Sequence, residues 1–221
     1  MSIFGTKIGQ TGAAAPYSEL GLYPTTFGST TVTFNGIPAP LLYVAPGQIN
    51  AVVPYGVTGK SADVVVTRFG NFKSAPFTVS LSDSAPGIFT ATQTGTGQGA
   101  ILNVPENPND LTAYSFNNAD NPAAKGAVIE MFATGVGVWD PPVDDGRITL
   151  FANRFTSKPV SLTIGGQPAT IFYAGTSPYQ LWGLLQVTAY VPTNIGSGQQ
   201  LVVLKVGSND NAQQNVTMAV Q

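Results

Sequence analysis

Two stretches of this sequence read almost alike. "VTFNGIPAPLLYV", from Val32, and "LTIGGQPATIFYA", from Leu162, share Gly36 with Gly166, Pro38 with Pro168, Ala39 with Ala169 and Tyr43 with Tyr173. After a gap, "QINAVVP" matches "QVTAYVP", pairing Gln48 with Gln186, Ala51 with Ala189, Val53 with Val191 and Pro54 with Pro192. Upstream, "SIFGTKIG" from Ser2 resembles "EMFATGVG" from Glu130, and downstream "ADVVVTRFG" resembles "QLVVLKVG". The blocks keep one order in both halves. Two copies of one folding unit are therefore expected, over residues 1–82 and 83–221, with the boundary near Ser82 to Pro86.

The unit is predicted to be made of strands. The 25 glycines and 17 prolines interrupt any helical period. Between them lie short runs rich in β-branched and aromatic residues: Thr30 to Asn35, Ala39 to Ala45, Gln48 to Pro54, Ala62 to Phe69 and Ala75 to Ser82. A second set follows: Gly99 to Val104, Ala127 to Gly135, Val160 to Gly166, Ala169 to Gly175, Leu184 to Pro192, Gln200 to Gly207 and Asn215 to Val220. Regular short strands signal a sandwich or barrel. The expected fold class is all-β, as two tandem immunoglobulin-like β-sandwich domains. Within the repeat, Asn35 and Gly36 should close a tight hairpin, Pro38 and Pro54 should end strands at edges, and Gln48 should tie down a loop backbone.

The copies are unequal. The second opens with an extra segment, "SAPGIFTATQTGTGQGAILNVPENPNDLTAYSFNNADNPAAKG", which supplies one or two strands ahead of "AVIEMFATG". The first begins at the counterpart of that later strand, Met1 to Thr6. Domain 1–82 is thus expected to lack its opening strand and to present a sheet edge that a strand from elsewhere could fill.

Composition excludes several functions. Only 9% of residues are charged, against roughly 25% in an average globular protein, so the surface is neutral and polar. Nine basic and eleven acidic side chains give a net charge of -2. That leaves no electrostatic footprint for nucleic acid and no basic amphipathic face for anionic lipid. With no Cys and no His, thiol nucleophiles, Cys-ligated metals, Ser-His-Asp machinery and His proton shuttles are all excluded. No apolar run approaches the length of a membrane span, and "MSIFGTKIGQ" has no signal-peptide form. No enzyme activity and no cofactor are expected.

The blocks "NGIPAPLLYVAPGQINAVVPYGVTG", "SAPGIFT", "GQGAILN", "NPAAKGAVIEMFATGVG", "DGRI", "VSLTIGGQPATIFYAG" and "LQVTAYVP" together resemble the Solibacter-type C-terminal domain, found at the ends of large predicted secreted proteins of soil acidobacteria. The halves are also similar to IPT/TIG-class immunoglobulin-like modules. The resemblance implies a tandem immunoglobulin-like unit carried by an exported protein, located outside the cell or on its surface. It implies no catalytic residues. The chain departs from the family's pattern in lacking a strand ahead of "SIFGT" and in the longer "GTSPYQLWGLL" turn.

Three groups of residues are candidates for chemistry. Asp140, Asp144 and Asp145 in "VWDPPVDDGR" could offer oxygen ligands to Ca²⁺, although their spacing is not that of an EF-hand and the bland alternative is a solvated turn. Glu106, Asp110 and Asp120 lie in a polar insert where paired carboxylates could hydrolyse glycosides, and they read as loop acids; Glu130 reads as a rim or interface position within an apolar strand. Four residues separate Tyr43 from Gln48 but twelve separate Tyr173 from Gln186, so the second copy gains eight. These put Tyr179, Leu181 and Trp182 in a predicted protruding loop, with Trp139 in another. Such rings stack on sugars with help from Gln180, or cap a sandwich. "GTGQG", Gly95 to Gly99, has no Lys and reads as a flexible turn. The expected role is a non-catalytic structural or adhesive module, with protein partners or self-association through sheet edges, including filaments formed by strand donation. The alternative is a carbohydrate-binding module that takes polysaccharide on Trp182, Tyr179 and Trp139.

Overall fold

Asn35 and Gly36 take positive φ angles of 49° and 83° and close a two-residue hairpin in which Phe34 lies opposite Ile37. Gly165 and Gly166, at 59° and 77°, close the same hairpin between Ile164 and Gln167. Two successive positive φ values match the twist of the flanking strands, which explains Asn and Gly at these positions. The structure is a computed structural model that describes residues 1–10, 12–149 and 154–221. It is nearly all β, with one 3-10 turn at Ala212–Gln214 among the described residues.

The frame of the first copy comprises β1 (Ser2–Phe4), β2 (Thr30–Phe34), β3 (Leu41–Val44), β4 (Gln48–Ala51), β5 (Ser61–Arg68) and β6 (Phe77–Ser80). The leading segment of the second copy supplies β7 (Gly87–Ile88), β8 (Gly97–Gln98) and β9 (Ile101–Asn103). Its frame follows as β10 (Val128–Thr134), β11 (Val160–Ile164), β12 (Gln167–Thr176), β13 (Leu185–Tyr190), β14 (Gly198–Val206) and β15 (Val216–Val220).

The repeat extends to the pairing register. Ser2 lies opposite Asn50 and Phe4 opposite Gln48, as Glu130 lies opposite Thr188 and Phe132 opposite Gln186. Val32 faces Val66 as Leu162 faces Leu204. Even the irregularity is shared: the pairing slips between Leu41 and Tyr43, and again between Ile171 and Tyr173. A single slip would turn every following side chain to the wrong face, so a common bulge marks a common core.

The chain divides into two compact units: Met1–Ser82 with Pro142–Phe151 and Pro178–Trp182, and Asp83–Pro141 with Ala152–Ser177 and Gly183–Gln221. The continuous second domain expected over 83–221 therefore gives up two segments to the first unit. In that unit one sheet runs β1, β4, β3 and Ala13–Ala14, and the other runs β6, β5, β2 and Thr26–Phe27. Alternate side chains of both sheets, among them Val32, Phe34, Leu41, Ile49, Val64 and Val66, enter one buried core. Each large side chain so buried is worth ~1.5–3 kcal/mol relative to exposure.

In the second unit the ladder is continuous: β8, β15, β14, β11, β12, β13, β10, β9 and then Ser115–Phe116. One residue accounts for the difference. Thr170 lets β12 run unbroken for 10 residues, pairing first with β11 and then with β13. The first copy has Pro40 at that position, with no N–H to give a ladder, and its strand splits into Ile37–Pro38 and β3.

Candidate binding surfaces

Among the described residues, no strand pairs with the outer edge of β1 or of β6, the end strands of the first unit's two sheets. Met1 accepts a hydrogen bond from the Ala51 N–H (2.9 Å) and Gly5 donates to Gly47 (3.2 Å), so the odd residues of β1 face β4. Antiparallel alternation then directs the backbone groups of Ser2 and Phe4 out of the sheet. On the other sheet, Leu81 donates to Lys60 (2.9 Å), which sets Phe77, Val79 and Leu81 toward β5 and turns the backbone of Thr78 and Ser80 outward.

The second unit covers both of the equivalent edges. Beside β10 lies β9, with Ile101 opposite Met131 and Asn103 opposite Ile129, and β7, with Ile88 opposite Ala133. The carbonyl of Phe132, which holds the position of Phe4, accepts from the Phe89 N–H (3.1 Å). Beside β15 lies β8, running parallel, with Gly97 opposite Val216 and Gln98 opposite Thr217. Side chains anchor this cover. Gln214 donates to and accepts from the backbone of Ile88 (3.2 and 2.9 Å), and Asn209 donates to the Ser84 carbonyl (2.7 Å).

Burial differs accordingly. Phe77 is 71% exposed, whereas Val216 at the equivalent position is 0% exposed. Phe4 is exposed and Phe132 half-buried; Ile3, Ile8 and Val79 are only partly buried, whereas Met131, Val136 and Met218 are buried. An edge strand carrying uncovered Phe side chains is a template for pairing with another chain.

The acid residues do not converge. Asp140 sits in the strand Trp139–Asp140 of the second unit, opposite Phe155. Asp144 and Asp145 belong to the first unit, where Asp144 pairs with Arg147 (2.7 Å) and Asp145 accepts the Tyr55 N–H (2.7 Å). Among the described residues no group of three or more His, Cys, Asp or Glu side chains is placed to hold a metal ion. Asp110 accepts from both the hydroxyl and the N–H of Thr112, and these bonds hold its carboxyl below the ordinary value, opposite to what a general acid needs. Glu106 and Asp120 are exposed. Glu130 is half-buried in the middle of a sheet, between Leu102 and Thr188, rather than at a rim. Burial pushes its carboxyl up, partly opposed by the amide of Gln186, which donates to it at 2.7 Å.

The aromatic candidates separate into two kinds. Trp139 is 1% exposed and lies in a strand, so it is a core residue and presents no face to a ligand. The Tyr179–Trp182 segment is not a protruding loop. Tyr179 donates to Thr149 (2.7 Å), Thr149 to Gln180 (2.8 Å) and Trp182 to Arg147 (2.9 Å), with Leu181 bridged to Ile148. Ile148 donates in turn to Gly21 (2.7 Å) and Tyr23 to Gly146 (2.9 Å), so all three stretches form a short irregular ladder within the first unit. Leu181 and Trp182 are half-buried, and Gln180 and Tyr179, the latter at positive φ, stand exposed.

Sequence reasoning missed the amides that carry the cover. Asn117 is buried; it donates to the Ala219 carbonyl and accepts the Ala219 N–H, both at 2.8 Å, and it also meets Asn103 and Gln98. "FNNADN" offers only a density of Asn as a signal. Gly97 and Gln98, expected in a turn, form β8. Gln48 bonds the side chain of Asn50 (2.9 Å) rather than a loop backbone. No family model matches this chain, and no curated protein matches it.

Proposed function

We propose that this chain is a non-catalytic structural or adhesive module, built of two immunoglobulin-like sandwiches and carried by an exported cell-surface or matrix protein, that associates with other polypeptides through the sheet edges of its first unit. The observation that carries this reading is the contrast between bare β1 and β6 and their covered equivalents β10 and β15. A neutral surface with 9% charge suits main-chain pairing, which needs no charge steering. The tied carboxylates described above favour scaffold over hydrolase. Strand donation into filaments needs a donor other than Val216–Val220, because β15 is paired on both sides within its own sheet. Of its three rings the polysaccharide reading keeps Tyr179 exposed, with Trp182 half-buried and Trp139 in the core.

Sedimentation velocity over a wide concentration range tests the proposal. The expected result is concentration-dependent association that Phe4→Pro abolishes without lowering the melting midpoint, since proline is tolerated where the N–H faces away from the ladder. A protein that stays monomeric at the highest concentrations contradicts self-association through these edges. A glycan array that lights up on one polysaccharide, with loss on Tyr179→Ala, would favour the carbohydrate reading.

A further inference from the structure

We infer that the occupant of the open edges is one continuous, uncharged extended segment, supplied by a partner polypeptide, that crosses from β6 to β1 as Gly97–Asn103 crosses from β15 to β10. The inference rests on the edge-association reading and specifies what binds there.

The internal repeat shows the form of the missing cover. In the second unit a seven-residue stretch, "GQGAILN", pairs parallel with β15 through Gly97 and Gln98, steps across to the other sheet edge, and pairs antiparallel with β10 through Ile101 to Asn103. The carbonyls the cover meets, Thr217 accepting from Gly99 (2.8 Å) and Phe132 accepting from Phe89 (3.1 Å), lie on the outward-facing residues of the two strands. The first unit repeats this register, so Thr78 takes the place of Thr217, and Ser2 and Phe4 take those of Glu130 and Phe132. Met131, Val136, Val216 and Met218 are buried, whereas of their equivalents Ile3, Ile8 and Val79 are only partly buried and Phe77 is exposed. From Gly87 to Asn103 the cover contains no charged residue. The occupant is therefore a Gly-containing, apolar and uncharged strand.

Lys7 limits how far the occupant extends. It occupies the position of Gly135 and shares its left-handed backbone, with φ of 57° against 76°. A Cβ on Gly135 would lie 1.8 Å from the Ala85 carbonyl oxygen, so the second unit can pass its Ala85–Pro86 stretch there only because Gly135 has none. Lys7 carries that Cβ. The occupant accordingly has no counterpart of Ala85 and Pro86 and matches the cover from Gly87 onward. A second copy of this chain is a poor donor, because its own Gly87–Asn103 is paired into its second unit.

The probe is a fluorescent synthetic peptide of residues Gly87–Asn103, added to the full 221-residue protein. We expect saturable one-to-one binding, with slowed hydrogen exchange at Phe4 and Thr78 and unchanged exchange at Phe132 and Thr217. Affinity should fall at least tenfold with the peptide variant Ile101→Asp and with the protein variant Phe4→Pro. A folded protein that shows no binding, or binding indifferent to Phe4→Pro, or protection at Phe132 and Thr217 instead, overturns the inference. The two readings fail separately. A protein that self-associates through its edges yet ignores the peptide contradicts this occupant alone, whereas a monomer that binds the peptide supports the occupant and contradicts self-association.

Discussion

Glu130 shows how one residue changes with its surroundings between the two copies. Its equivalent, Ser2, lies on the bare edge strand of the first unit, whereas Glu130 is held between β9 and β13 and its carboxyl is pushed up by burial. A carboxyl whose folded pKa is raised favours the native state fully below the unfolded value, and that contribution is lost as pH rises through the folded value. Glu130→Gln removes the titration while leaving an oxygen to accept from Gln186. The variant should be more stable than wild type at pH 7 by a few tenths of a kcal/mol, the half-exposed site being screened by solvent. The two proteins should converge as pH falls below about 4. Thermal melts across that range check the sign. A variant less stable at pH 7 would mean that the charge is held by a favourable partner.

At the scale of elements, the covering segment of the second unit owes its place to side chains that act as substitute backbone. Asn117 meets both the N–H and the carbonyl of Ala219 beyond the end of β8, filling the outer side of β15 between β8 and Ala123, which bridges to Val220. Asn117→Ala leaves the buried Ala219 N–H without a partner, while the Ala219 carbonyl keeps the Ala123 N–H (3.0 Å), and should cost ~1–3 kcal/mol, read as a lower denaturant midpoint. A loss under about 0.5 kcal/mol would show that the cover is held by its ladder alone. Elements of this kind are where sequence reading stops. The frame strands were legible because Val32 and Phe34 alternate with Thr31 and Thr33, because Val64 to Val66 form a β-branched run, and because Asn35–Gly36 and Gly165–Gly166 mark the turns. The split of β3 from Ile37–Pro38 was implicit in Pro40. By contrast, Trp139 sits among Gly, Val and Pro, which give a loop composition to a buried strand. The Tyr179–Trp182 segment joins the first unit through backbone bonds to Arg147 and Thr149, and such bonds leave no trace in residue type.

For the molecule as a whole, the repeat gives one polypeptide two versions of the same frame, one with its edges covered and one whose equivalent edges pair with nothing among the described residues. Each unit thus serves as a control for the other. The equal registers, the shared bulge and the paired hairpins establish which residues correspond, and Phe77 is exposed where Val216, beside β8, is buried. Among the described residues no helix is long and apolar enough to cross a membrane. The proposed adhesive role requires that β1 and β6 be open in solution. Amide hydrogen exchange on the unliganded 221-residue protein measures this directly at matched positions. Protection at Phe132 and Thr217 should exceed that at Phe4 and Thr78 by about two orders of magnitude or more, because only the former pair lies against a covering segment. Equal protection at the two sets of positions would contradict open edges, and with them the account of how this protein binds.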